Sequence, residues 1–514
     1  MPFYTMFSAN VASYLARIEP TWTYALIVAV LFLLTSPYKA PFPVINQSRF
    51  FDIGHTAGKK RFLQGAHRMI RAGLSKSSVF YITSDNGPKI VLAPKYAHEI
   101  RSHHALSFGK AATNEFQANI RGFEPFRQGT TGDRIFQDAI RMKLTQNLGN
   151  VTRPLAEETG HALEEIWTNN ADWHELALKP SILRLVSRLS SRVFLGEMLC
   201  RNTDWLRITA DYAVHSFLAA EELRLWPMFL RSSVAHFLPP CQLIRKELQE
   251  AKEIIIPVLE ERRLARQNAI RQGKTPERYV DAIQWMEESA KGRPYDPAVA
   301  QLSFSTVAIH TTTDMLCQVL LDLCGRSEVV EALRTEVISV IQEDRWEKSS
   351  LYKLKLMDSV LKESQRLKPI AIATMRRLAL EDINLSDGTT IPKGATTVVS
   401  CDAMWDPSVY PEPETFDAYR FLKLRETPGH ETTAQAASPS PHHLGFGFGK
   451  HACPGRFFAI NEIKIALCHI LLKYDFKLAE GYTPTLRRRG LSLNVDPLAK
   501  ISVRRRKQQM PFLS

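Results

Sequence analysis

The longest uninterrupted apolar pattern in the chain runs from Ala298 to Cys324, with neither glycine nor proline inside it. Asp296-Pro297 supplies a side-chain cap and a pre-set first turn, and Gly325 closes the stretch. A helix of that length spans about 40 Å, the width of a domain, and its mostly apolar circumference implies burial on all sides. A second periodic stretch follows Cys453. Ile460, Ile463, Leu467, Ile470 and Leu471 recur at spacings of three and four, so a helix begins close behind the cysteine. Residues 130–260 are mainly helical in pattern, and a further helix is predicted to begin near Leu351 and end before Pro369. Strand signals are fewer. Val79–Thr83 and Lys89–Leu92 flank Asp85-Asn86-Gly87 as a hairpin, and Leu491–Val495 with Ile501–Val503 predict a last strand pair. Glu426–Pro441, rich in Thr, Gly, Ser, Ala and Pro, reads as a flexible loop. The pattern is that of a mainly α protein with a smaller β region.

Near the N-terminus, no charge falls between Pro20 and Tyr38, and Tyr24–Leu34 is strongly apolar. With Trp22 and Tyr38 as interface anchors, this approaches the ~20 residues that cross a bilayer. Upstream stand Arg17 and Glu19; downstream come Lys39, Arg49, Lys59, Lys60 and Arg61, which places the long C-terminal part in the cytosol. A basic n-region and a small-residue cleavage site are both lacking, so the segment reads as a signal-anchor. The expected organisation is a short lumenal N-terminus (1–20), a single N-terminal transmembrane helix (21–38), a proline-rich hinge (39–48) and a catalytic domain (49–514), held at the endoplasmic reticulum membrane.

Composition narrows the options. The chain is 45% hydrophobic, ample for a large core, and carries a formal charge of +13. Basic runs occur at Arg487–Arg489 and Arg504–Lys507, but no nucleic-acid-binding motif accompanies them. Solvated loop ends, an anionic membrane surface or an acidic redox partner fit better. Seven cysteines are scattered with no C-x-x-C pair, which points away from a zinc ribbon or a disulfide framework. His98-Glu99 and His103 are spaced five apart rather than four, so they do not share a helix face as a zinc pair would.

The stretch Phe446-Gly-Phe-Gly449-Lys-His451-Ala-Cys453-Pro-Gly455 sets a lone cysteine behind a glycine-rich loop and in front of a helix. The helix terminus and loop amides favour thiolate over thiol there. The glycines let backbone approach something flat, and Phe446 can pack against its face. Such a nest suits an axial thiolate on haem iron. Gly445, Gly447 and Gly449 lack the third glycine and the strand context of a dinucleotide loop.

Phe446, Gly449, Cys453 and Gly455 match F-x-x-G-x-x-x-C-x-G, and the chain resembles the cytochrome P-450 (haem-thiolate) monooxygenases on that motif. The resemblance implies the cytochrome P-450 fold over roughly residues 45–505, haem b as cofactor, and Cys453 as the metal ligand. In Val307-Ala308-Ile309-His310-Thr311-Thr312-Thr313-Asp314, three threonine hydroxyls compete for backbone carbonyls and bend the helix. Aligned with the family, Ala308 takes the glycine position, His310 the acid and Thr311 the oxygen-side threonine. Proton delivery would run through Thr311, water and His310. Glu363 and Arg366, at i and i+3, share a helix face, and Arg420 in Pro413–Phe421 would close a Glu363–Arg366–Arg420 network that holds the cysteine loop. For the haem propionates the resemblance offers His451 and Arg377, with Arg376 as its nearest rival. The usual W-x-x-x-R is absent, leaving Arg141 and Lys143 as substitutes.

The same resemblance implies NADPH–cytochrome P-450 reductase as electron donor, with cytochrome b5 as a second, near Lys450, Arg456 and Lys464. Gly122–Phe126 and Pro369–Thr374 would bracket the substrate, with Ile370, Ile372 and Thr374 as an apolar wall. Phe217–Pro240, rich in Leu, Trp and Phe, would form a lid dipping into the membrane interface. The His-Thr-Thr tripeptide and the Asn119–Phe126 segment are similar to filamentous-fungal members that tailor secondary metabolites, terpenoids especially. A haem-thiolate isomerase or dehydratase, and a non-enzymatic haem sensor, are the competing readings.

Overall fold

The computed structural model describes residues 41–47, 56–130 and 132–507. The predicted signal-anchor lies outside them. Among the described residues, no helix is long and apolar enough to cross a membrane.

The long helix runs from Pro297 to Leu323, with the Asp296 carboxylate accepting from the Val299 amide at 3.1 Å and Gly325 at φ +78° just beyond its end. It is the axis of the molecule. Helices Leu178–Leu195, Thr203–Leu223 and Pro239–Arg271 pack around it, and the helix Arg456–Lys473 lies beside it. Aromatic rings bridge the gap: Phe304 meets Phe194 at 5.1 Å, and Phe194 meets Phe458 at 5.5 Å. Phe458 sits on the helix behind the cysteine, so this chain of rings fixes that helix against the axis. Ile460, Ile463, Leu467, Ile470 and Leu471 are all buried there, as their spacing predicts.

The helix expected from Leu351 is broken. Lys348–Lys353 and Lys355–Leu367 meet at Leu354, whose ψ of 74° leaves the helical region. The Glu336 carboxylate caps the second piece, accepting from the Leu356 and Met357 amides at 2.7 and 3.0 Å. A side chain from another helix makes this break, and local sequence carries no sign of it.

The sheet is small and off to one side. Its strand order is Val44–Ile45, Val79–Ser84, Gly87–Leu92, Thr396–Ser400, Ala373–Ala379 and Leu106–Ser107. The predicted hairpin is its second and third strands, with Gly87 at φ +91° in the turn. The two C-terminal strands do not pair with each other. Ser492–Val495 joins Leu486–Arg489 as a hairpin, whereas Lys500–Arg505 lies between Tyr474–Leu478 and His174–Ala177. A partner as remote in sequence as His174–Ala177 leaves no short-range signal.

The Glu426–Pro441 segment is also more ordered than its composition suggests. The Lys362 ammonium donates to the carbonyls of Thr433, Gln435 and Ser438 at 2.9, 2.8 and 2.6 Å, and Asp358 accepts from the Ala436 amide at 2.9 Å. Burial pulls the Lys362 pKa down to about 7. Carbonyl oxygens rather than a carboxylate satisfy the cation, and they hold the coil over the cysteine side of the molecule.

Candidate functional site: a thiolate slot between two helices

The cysteine loop folds as a tight nest. The Cys453 amide donates to the Phe446 carbonyl at 2.8 Å, and the Ala452 amide to the Gly449 carbonyl at 3.0 Å. Gly449 has φ +77°, and a Cβ there would meet the Arg101 backbone oxygen at 2.6 Å, so two independent constraints demand glycine. Gly455 is different: its φ is −89° and a Cβ would meet no protein atom within 4 Å. Its spare room lies beside Cys453. Amides of Gly455 and Arg456 and the Arg456 guanidinium all favour the thiolate, as the sequence predicts. Burial outweighs them and pushes the Cys453 thiol up, which corrects the expectation of a free thiolate. A metal at the sulfur would reverse that balance.

The facing wall belongs to the long helix. It is buried on nearly every side, yet Val307 is 55% exposed and Thr311 is exposed too, with Ala308 and Met315 half-buried. These four positions form one stripe at helical spacing, an accessible face in the middle of a core helix. The Thr311 hydroxyl donates to the Val307 and Ala308 carbonyls at 2.9 and 3.2 Å. The neighbouring Thr312 and Thr313 hydroxyls are buried without a partner, and the helix remains α-helical throughout. Only one of the three threonines therefore competes for backbone. Gln365 links stripe and loop: its side-chain amide lies 3.8 Å from the Met315 sulfur, and a Cβ on Gly445 would meet its Oε1 at 2.3 Å.

His310 is not drawn to Thr311. Its Nε2 lies 2.8 Å from the Ala210 carbonyl on the helix Thr203–Leu223, and no hydrogen bond joins it to the threonine. Burial pulls its pKa down.

One rim of the slot is cationic. Arg377 is buried, makes a single hydrogen bond, to the Arg376 carbonyl at 2.7 Å, and burial lowers its pKa to about 10. Its rival Arg376 is taken: it faces the Glu115 carboxylate at 3.6 Å. A bulge decides between them. The register slips between Thr374 and Arg377, and Met375 takes φ +51°, so Arg377 is re-aimed relative to regular alternation. His451 sits close by, its ring 5.6 Å from Phe108, over which the Arg377 guanidinium also lies at 5.8 Å. Burial, then Arg377, Lys450 and Arg141, pull the His451 pKa down to about 4. Arg141 donates to the Lys450 carbonyl at 2.9 Å, whereas Lys143 is consumed by Glu288 at 2.6 Å. Among the described residues no carboxylate pairs with Arg377, Arg141 or Lys450. Arg141 and Lys450 are exposed, but the buried Arg377 charge without a counter-ion is costly unless an anion arrives from outside the chain.

The predicted Glu363–Arg366–Arg420 network forms. Arg366 grips Glu363 through two bonds of 2.8 Å, and Arg420 Nε approaches both carboxylate oxygens at 3.1 Å. Glu363 and Arg366 side chains are 0% exposed and Arg420 13%. Spare donors on Arg366 reach the Met404 and Pro413 carbonyls at 2.7 and 2.6 Å, fixing the segment that leads to Arg420. Two sequence expectations fail. Lys464 is 4% exposed and pairs with Asp358 at 2.7 Å, and Arg456 is tied to the Cys453 and Ala437 carbonyls, so of the three expected docking cations only Lys450 is exposed. Ile372 belongs to the core between sheet and helix, with Phe62, Phe80 and Val398, and is no part of a substrate wall.

A half-buried thiol in a glycine nest, an accessible stripe on the long helix and an uncompensated cationic rim together suit a flat, apolar, anionic metal macrocycle. That set of groups fits haem bound through thiolate. The family profile described as Cytochrome P450 matches residues 87–501. Cytochrome P450 monooxygenase adrA of Penicillium rubens is 54% identical over 506 residues, covering 97% of this chain and 98% of that protein. Cytochrome P450 monooxygenase trt6 of Aspergillus terreus is 51% identical, covering 89% and 93%. Among solved structures, a cyanobacterial CYP120A1 with retinoic acid bound matches with a TM-score of 0.65 at 18% identity, over 90% of this chain and 99% of that one. The chain belongs to the cytochrome P450 family, and it is a haem-thiolate monooxygenase.

Arg377→Met tests the rim. The substitution removes an unpaired buried cation, so the haem-free protein is expected to be no less stable than wild type. Haem retention is expected to weaken by about 10- to 100-fold, the loss of one charge-assisted hydrogen bond. Haem transfer to an apoglobin acceptor measures it.

Proposed function

We propose that the protein is a membrane-anchored monooxygenase that hydroxylates, or oxidises in several steps, a hydrophobic terpenoid-like secondary metabolite, using O2 and electrons from NADPH–cytochrome P-450 reductase, with cytochrome b5 as a second donor. The observation that carries the reading is the Cys453 nest, set at the start of the helix Arg456–Lys473 that packs on the long helix bearing the accessible Thr311 stripe. Haem b, held by Cys453 and by Arg377, His451 and Arg141 at its propionates, would supply the activation of oxygen and the oxidising power. The rest of the work falls to the chain. Phe446 and the loop glycines bring backbone close to the macrocycle, and the Glu363–Arg366–Arg420 network keeps the surrounding segments in register.

Thr311 is assigned as the proton gate. Its hydroxyl is accessible, can rotate away from the Val307 carbonyl, and can pass a proton from water to the oxygen side of the haem. Retention of such a gate favours oxygen chemistry over a reductase-free isomerase or dehydratase. For Thr311→Ala we expect NADPH consumption to persist, with product per NADPH falling by up to about 100-fold and peroxide release rising to match.

Membrane attachment rests on two features. The apolar segment 21–38 reads as an anchor into the endoplasmic reticulum, and the Phe217–Pro240 lid exposes Met228, Phe229 and Phe237, the last two at 81% and 80%. Contiguous exposed rings of this kind suit a lipid interface, and an apolar substrate would reach the enzyme from the same side. Ile370 is half-buried, and its segment is held by the Leu493 amide on the Ile370 carbonyl and the Ile372 amide on the Leu491 carbonyl, at 3.0 and 2.9 Å.

Incubation of the reconstituted enzyme, reductase and NADPH with a panel of polycyclic terpenoids under 18O2 tests the reading. A product carrying one 18O, formed only with NADPH, is expected. Turnover without NADPH, or a product without the label, contradicts it.

A further inference from the structure

We propose that His310 is a positioning residue that clamps the Thr311 turn to the helix Thr203–Leu223, whose last residues enter the Phe217–Pro240 lid, and that it does not itself deliver a proton. The inference rests on the haem-thiolate reading of the slot and departs from the acid role its sequence position suggests. A carbonyl oxygen only accepts, so the Nε2 that lies 2.8 Å from Ala210 O carries the ring hydrogen. Burial keeps the imidazole neutral, and Lys179 and Asp211, the nearest charged groups, act on it in opposite senses. A neutral ring whose only N–H is committed to another helix has a lone pair left at Nδ1 and no proton to give.

What the bond does accomplish is mechanical. Ala210 lies mid-way along a helix that also carries Tyr212 and Phe217. The Tyr212 hydroxyl donates to the Gly122 carbonyl at 2.6 Å. Phe217, two turns or about 10 Å along from Ala210, stands edge-on at 5.8 Å to both Phe116 and Phe126, which stack at 4.9 Å. The Phe126 segment is in turn joined to the long helix at Ser303, one turn before Val307; the single Ser303 hydroxyl hydrogen is shared between Pro125 O at 2.8 Å and Val299 O at 2.7 Å. The three rings thus tie the helix Thr203–Leu223 to the long helix a second time, and the His310 bond to Ala210 ties it directly beside Thr311. The clamp makes the Thr311 turn and the helix that carries Phe217 a single rigid unit.

Three forms of the full-length holoprotein discriminate: wild type, His310→Gln, which retains a side-chain N–H donor but cannot titrate, and His310→Leu, which fills the space without a donor. The reduced carbon-monoxide band is recorded first. Its absence at the thiolate position in wild type would overturn the haem reading itself, and the clamp with it. With the band present, His310→Leu is expected to raise hydrogen exchange of the amides at 207–214 by about tenfold, the effect of one lost hydrogen bond. It is also expected to speed the association and release of clotrimazole, a bulky azole that must pass the lid. His310→Gln is expected to behave as wild type in both, and to keep the wild-type pH dependence of NADPH-driven peroxide release between about pH 6 and 8. Unchanged exchange in His310→Leu overturns the clamp while leaving the haem reading intact. A protected helix with a flattened pH profile in His310→Gln restores the proton relay.

Discussion

Glu363→Ala is expected to abolish accumulation of folded, haem-containing protein. Its carboxylate accepts two bonds from Arg366 and two approaches from Arg420, in a setting with no solvent exposure at Glu363 or Arg366. Removing it strands the Arg366 guanidinium among carbonyls that satisfy only part of its charge. Breaking a buried pair from one side costs about 3–5 kcal/mol, a large part of the roughly 5–15 kcal/mol that holds a typical domain together. The damage reaches the slot, because Gln365 beside Arg366 touches both Met315 and Gly445. Glu363→Gln is the informative companion. It keeps one acceptor for Arg366 and loses the charge, so a partial yield is expected. Haem per protein after purification, read beside thermal unfolding, measures both. Wild-type haem content in Glu363→Ala would show that the network is dispensable.

Much of this arrangement was legible in the residues alone, for identifiable reasons. The long helix announces itself because its cap, length and apolar character are all local, and the cysteine loop because glycine, aromatic and thiol fall within ten residues of one another. Glu363 and Arg366 are adjacent on a helix face, so their partnership is also local, and Arg420 follows from the segment that resembles the family. What sequence could not supply depends on neighbours brought from elsewhere. Arg376 and Arg377 are indistinguishable until the bulge at Met375 re-aims the strand and Glu115 claims Arg376. Lys464 looks like a surface lysine until Asp358, on another helix, buries it. Ile372 alternates as a pocket residue would, yet the helix Thr56–Leu74 packs on that face of the sheet and takes it for the core. The threonine run offers three hydroxyls that compete for backbone, whereas burial leaves only Thr311 with room at the open face.

The second large effect concerns Cys453, on which the central claim rests. Within the slot no other described cysteine offers an alternative: Cys200, Cys241, Cys317, Cys324, Cys401 and Cys468 are all buried free thiols elsewhere in the fold. Burial, the largest cause in each, holds these groups protonated, with Cys317 and Cys401 each pushed up to about 12. Cys453 differs in having two amides and a guanidinium arrayed for a negative sulfur. Cys453→Ala removes the sole ligand while leaving the loop's backbone bonds intact, so the protein is expected to fold and to lose haem-dependent activity entirely. The reduced carbon-monoxide difference spectrum of the membrane-expressed protein, recorded beside Cys453→Ala, tests this most directly. A Soret band at the long-wavelength thiolate position, absent from the variant, is the predicted result; a band at the histidine-ligated position, or one that survives the substitution, would contradict it.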